Sequence, residues 1–113
     1  MGTKRLRQRL RLEQEAEEDL EAGVLYYRDK AGEEVALRFI AAVEDSFSLL
    51  REHPEAGRKY ETAPSPRLRE IHAWPLRVFP YIVFYELTDT EILVLGIVEG
   101  HQDLPEIFRK RWD

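Results

Sequence analysis

The sequence predicts an α+β fold of order βααβββ, with a helical hairpin packed on one face of an antiparallel sheet and a short C-terminal helix. Three observations carry this. Two runs rich in β-branched and aromatic residues, Val78 to Leu87 and Ile92 to Val98, flank the turn Thr88-Asp89-Thr90 and read as adjacent antiparallel strands. From Glu13 to Glu52 the apolar residues recur at helical spacing instead of alternating. The 113 residues fit one domain spanning 1–113, which can bury roughly two-thirds of its unfolded surface in a single modest core.

Taken in order, Arg5 to Leu12 places Arg at 5, 7, 9 and 11 and Leu at 6, 10 and 12, with Gln8 interrupting the apolar side. A period of two makes this a half-buried strand. Its Arg face points outward, either as a solvated face that discourages edge pairing or as a comb that docks an acidic partner. From Glu13 the period changes. Ala16, Leu20, Gly23 or Val24, and Tyr27 lie on one helix face, and the acidic first turns suit the positive end of the helix dipole. Gly32 ends this helix as a left-handed C′ residue. A second helix, from about Glu33 to Glu52, carries Ala36, Phe39, Ile40, Val43, Phe47 and Leu50 in one stripe. The short link makes the two an antiparallel hairpin.

Pro54 and Gly57 stop the second helix, and Arg58 to Pro66 reads as a polar loop with two prolines. A strand is expected from Arg67 to Ala73, then a corner at Trp74-Pro75. Pro80 cannot donate to a strand ladder, so a bulge or an edge-facing position is expected near it. Asp103-Leu104-Pro105 opens the terminal helix, Glu106 to Trp112. In the run Val78 to Leu87 odd and even positions are both apolar, so neither sheet face suits water. The hairpin covers one face. The other, near Val83, Tyr85, Leu93 and Leu95 or their alternates, calls for the terminal helix, a second copy or a partner segment.

Composition narrows the function. A net charge of −5 makes the chain a poor general binder of polyanions, so direct nucleic-acid binding is disfavoured. Without Cys there is no disulfide and no thiolate metal site, as suits a reducing cytosol. No apolar segment reads as a signal peptide or a membrane span, so a soluble cytoplasmic protein is expected. His72, His101 and their carboxylate neighbours have no metal-ligand spacing, and no cofactor is expected.

Four phrases, in this order and spacing, resemble the RelE/ParE toxin superfamily and within it the ParE, or plasmid-stabilisation, branch. They are EAEEDLEAGVLYY, ALRFIAAVEDSFSLLREHPEAGR, LREIHAWPLRVFPYIVFYEL and ILVLGIVEGHQD, together covering about Arg9 to Leu104. The resemblance implies the toxin of a type II toxin-antitoxin pair, neutralised by a small cognate antitoxin whose C-terminal segment wraps it. A homodimer and a heterotetramer with the antitoxin both stay open.

Two toxic chemistries occur in the superfamily. RelE-like toxins cleave ribosome-bound mRNA, which needs a base, an acid and cations around the phosphate. The candidates here are Arg69, Arg77 and His101, with Glu99 or Asp103 able to orient the imidazole. The chain departs from that pattern. Gly96 stands where the last strand usually carries Arg, Gln102 sits in the closing phrase, and no Tyr follows Tyr85. ParE-like toxins trap DNA gyrase by binding, which needs a surface and no catalytic group. The leading expectation is therefore a gyrase-binding inhibitor, with a ribosome-dependent endoribonuclease or a non-toxic binding module as alternatives. Partner-binding candidates are Arg5, Arg7, Arg9 and Arg69, with Val83, Tyr85, Leu93 and Leu95 on the sheet. Arg69 and Arg77 equally read as surface cations near Glu70 and Glu86. Tyr85 reads first as sheet packing with its hydroxyl at the rim.

Overall fold

The structure, a computed structural model, describes residues 8–60 and 71–112. Its elements are β1 (Arg9–Leu12), α1 (Gln14–Ala31), α2 (Glu33–Glu52), β2 (Arg58–Tyr60), β3 (Ile71–Pro75), β4 (Tyr81–Leu87), β5 (Glu91–Glu99) and α3 (Leu104–Trp112). The strands form one sheet of order β1-β5-β4-β3-β2. The α+β class holds, with the hairpin on one face and the short terminal helix on the other.

The sheet is mixed, which corrects the all-antiparallel expectation. β2, β3, β4 and β5 pair antiparallel, but β1 runs parallel to β5, with Arg9 opposite Glu91 and Leu12 opposite Val94. β1 leads straight into α1, and the Glu13 N–H bonds the Val94 carbonyl at 2.9 Å as the chain leaves the sheet. A strand whose chain returns only after a long helical crossover is free to lie parallel to its neighbour. Two further corrections concern β2 and β3. Arg58–Tyr60 pairs with β3 where a polar loop was expected, three residues being too short to show a period. Trp74 and Pro75 belong to β3, opposite Val83 and Ile82, and are not a corner.

Burial explains the doubly apolar strands. On the hairpin side Ala16, Phe39, Val43 and Leu50 pack on Val83, Tyr85, Ile92, Val94 and Ile97. On the other side Phe108 and Trp112 of α3 pack on Ile71, Phe84, Leu95 and Val98. The terminal helix is thus the second cover. Gly32 caps both helices at φ 97° and ψ 167°, outside the left-handed helical region expected but still where residues with a Cβ are disfavoured.

The β3–β4 turn is strained. Val78 has φ 75°, and the Phe79 N–H bonds the Arg77 carbonyl at 2.8 Å, closing a three-residue turn on the disfavoured positive-φ side. A β-branched residue there costs about 1–3 kcal/mol. The side chain is 95% exposed, so burial returns little of that cost. Val78→Gly should therefore raise stability by about 1 kcal/mol after glycine's larger loss of backbone entropy. Thermal melts that show an unchanged or lower midpoint would remove the strain.

Candidate functional site

The second half of β5 and the end of the terminal helix are organised around Gly96. Three elements meet there. α1 brings Asp19 over the sheet, β5 supplies Gly96 and Ile97, and the last turn of α3 brings Arg111 and Trp112. The Arg111 guanidinium donates from both terminal nitrogens to the two Asp19 carboxylate oxygens, each at 2.8 Å. Asp19 Oδ2 also accepts the Ile97 backbone N–H at 2.9 Å, capping β5 past the point where β1 ends. Glu15 adds a longer contact to Arg111 at 3.8 Å. The hydrogen bonds it donates to Asp19 push the Arg111 guanidinium above its ordinary range, so it keeps its charge.

Gly96 gives this assembly room. A Cβ on it would lie 3.2 Å from Arg111 Nη1, 3.3 Å from Asp19 Oδ2 and 3.4 Å from the Trp112 ring. The missing strand cation therefore has a physical account. The space that a side chain at 96 would need is taken by a cation delivered from α3, already matched by a carboxylate.

Beside the pair lies a cleft of about 370 Å³ lined by Asp19, Tyr26, Tyr81, Glu99, Gln102 and Arg111, among others. Its aromatic wall continues inward, Tyr27 meeting Phe39, Phe79 and Tyr81 at centroid distances of 5.1–6.1 Å. Burial pushes the Tyr81 phenol up to about 12, helped by the neighbouring Tyr27 and Glu99. It holds its proton at neutral pH and can donate a hydrogen bond but not accept a proton. The cleft thus offers aromatic and hydrogen-bonding surface, with its one arginine engaged by Asp19.

The sequence-derived candidates do not converge on this place. Arg5, Arg7 and Arg69 lie outside the described residues. Arg77 lies in the β3–β4 turn and lines a different groove, with Arg38, Trp74 and Phe79. His101 is exposed in the turn before α3, and Asp103, its supposed orienting partner, caps that helix by accepting the Glu106 N–H at 3.3 Å. Arg9 is exposed on edge strand β1. Val83 and Tyr85 are fully buried under the helical hairpin, whereas Leu95 and the half-buried Leu93 belong to the α3 side. These four residues share no face. The Tyr85 hydroxyl is not at a rim, since it donates to the Pro54 carbonyl and accepts the Gly57 N–H, both at 2.8 Å. Among the described residues no group of three or more His, Asp or Glu side chains could hold a metal ion, and no helix is long and apolar enough to cross a membrane.

The pair the sequence did not reveal is Asp19 and Arg111. They stand 92 positions apart, so no local spacing signals them.

Comparison with known proteins agrees with this architecture. A chain from a structure described as the chromosomal ParDE TA system from P. aeruginosa superposes with a TM-score of 0.68 at 23% identity, covering 81% of this chain and 95% of that one. No curated protein matches the chain. The profile of the ParE toxin of type II toxin-antitoxin system, parDE, matches residues 10–104. The chain belongs to the ParE toxin family.

Proposed function

We propose that this toxin acts in the cytoplasm as a binding inhibitor of DNA gyrase, without catalysis, and is neutralised by a cognate antitoxin. The observation that carries this reading is the state of the site around Gly96. RNA cleavage needs a cation able to meet developing phosphate charge, together with an acid and a base at one place. Here Arg111 is held bidentate by Asp19, Tyr81 keeps its proton, and His101 stands apart with its carboxylate neighbour capping a helix. A binding inhibitor needs none of these groups free. Family membership supports the toxin role, and the parDE pairing supports the antitoxin. Arg9, exposed on the sheet edge, is our candidate contact for the antitoxin, whose added strand or side chains would cover that edge.

The test is a gyrase supercoiling assay with the purified chain. Supercoiling should fall with rising toxin while cleaved DNA accumulates, and adding the antitoxin should restore activity. Full supercoiling at excess toxin removes gyrase as the target. New 5′ ends on translated mRNA in a primer-extension assay would instead support the endoribonuclease.

A further inference from the structure

The cleft beside the Asp19–Arg111 pair holds one charge that the pair does not match. Its lining carries Asp19, Glu99 and Arg111 as charged groups, and the first and last of these neutralise each other. Glu99 is left over. It is half-buried at the end of β5, directly opposite Tyr81 in the strand register, and among the described residues it has no ion-pair partner. A carboxylate taken part of the way out of water is destabilising until a cation meets it.

The walls around this carboxylate are aromatic, with a gap between them. Asp19, Ala22, Gly23 and Tyr26 share one face of α1, being spaced i, i+3, i+4 and i+7. Ala22 and Gly23 leave the gap. Gly23 has no room for a side chain, since a Cβ on it would lie 2.7 Å from the Phe39 ring. Tyr26 supplies the ring on the helix side and Tyr81 the ring on the sheet side, and Tyr27 touches both at centroid distances of 5.2 and 6.1 Å. The exposed Gln102, whose N–H bonds the Glu99 carbonyl at 3.3 Å, adds a side-chain acceptor.

We propose that this cleft binds the guanidinium of an arginine side chain carried by a protein partner, with its charge met by Glu99 and its plane against the tyrosine rings. Two rings and one free carboxylate suit a large, weakly hydrated organic cation, whereas a metal ion needs several oxygen ligands. Arginine fits better than lysine, because a planar guanidinium stacks on a ring and bonds a carboxylate at the same time. The same leftover charge repels phosphate. Tyr26 is 51% exposed, so the cleft of about 370 Å³ opens on the surface, where a side chain enters while its own backbone stays outside. The inference does not rest on gyrase as the target, and a chain that leaves supercoiling intact can still hold the arginine.

The probe is the blocked tripeptide acetyl-Gly-Arg-Gly-amide, titrated into the full chain and followed by NMR. Saturable shifts should appear at Tyr26, Tyr81, Glu99 and Gln102. The same tripeptide with citrulline, the neutral isostere of arginine, should bind about tenfold more weakly, as expected when a cation loses both its carboxylate and its attraction to ring faces. Glu99→Gln should reduce the arginine peptide to the citrulline level. Tyr26→Ala, at an exposed position, should weaken the arginine peptide, and Tyr26→Phe should restore it because the ring is kept. Equal affinity for the two peptides, or an arginine preference that Glu99→Gln leaves unchanged, overturns the proposal. Tighter binding of agmatine, a free guanidinium compound, than of the arginine peptide overturns the assignment to a protein partner.

Discussion

Replacing Asp19 by Ala should lower the stability of the fold by about 3 kcal/mol, because it leaves a partly buried guanidinium with only its longer contact to Glu15 and the Ile97 N–H without its acceptor. The carboxylate and the guanidinium are only 14% and 25% exposed, so water replaces the lost contacts poorly. Urea denaturation followed by circular dichroism measures the effect. The double variant D19A/R111L should recover part of the loss, since no buried charge then stands alone. Gly96→Arg should act through the same place, its side chain competing with Arg111 for space and for Asp19. A loss below about 0.5 kcal/mol in D19A, the range of ordinary surface changes, would mean that α3 is held by Phe108 and Trp112 alone. These variants also bear on function, because a freed Arg111 would place an unmatched cation in the cleft lined by Tyr81 and Gln102.

The second large effect is expected at the junction of the α2–β2 loop with the sheet. The Tyr85 hydroxyl is buried between the Pro54 carbonyl and the Gly57 N–H, and burial pushes the phenol up against the opposing pull of the Gly57 hydrogen bond. A Cβ at residue 57 would lie 2.5 Å from that hydroxyl and 2.8 Å from a ring carbon. Tyr85 is fully buried and its ring stacks on His72 with centroids 5.2 Å apart, so it cannot move away cheaply. Gly57→Ala should therefore cost about 3 kcal/mol through overpacking and the lost hydrogen bond. Tyr85→Phe should cost about 2 kcal/mol, leaving a buried N–H and carbonyl without partners. In the double variant the two losses should fall short of their sum, since both act on one contact. Full additivity in chemical denaturation would show that the clash and the hydrogen bond are independent.

Much of the fold was legible because it rests on periodicity. The stripe Ala36, Phe39, Ile40, Val43, Phe47 and Leu50 located α2 at Glu33–Glu52, and Gly32 marked the break between the helices. The apolar residues on both faces of β4 required two covers, and both exist. The failures have local causes. β2 is too short to carry a period. The parallel pairing of β1 is a long-range choice that an alternating Arg-Leu pattern does not encode, because such a pattern suits either direction of a neighbour.

The candidate site was less legible, for the same reason in stronger form. Strand spacing groups Val83 and Tyr85 with Leu93 and Leu95, but Tyr85 pairs with Val94 and Glu86 with Leu93, so Leu93 and Leu95 fall on the α3 face while Val83 and Tyr85 lie under the hairpin. His101 and Asp103 looked like a base and its orienter because they are neighbours in sequence, whereas Asp103 serves α3.

What the sequence by itself determined is the set of amphipathic elements, their order, and the need to cover the sheet twice, since these follow from the hydrophobic pattern along each segment. Only the tertiary structure decided what meets at Gly96. The pairing of Asp19 with Arg111 joins the first helix to the last across a strand, and such a contact depends on where packing brings distant segments together, not on any spacing between neighbouring residues.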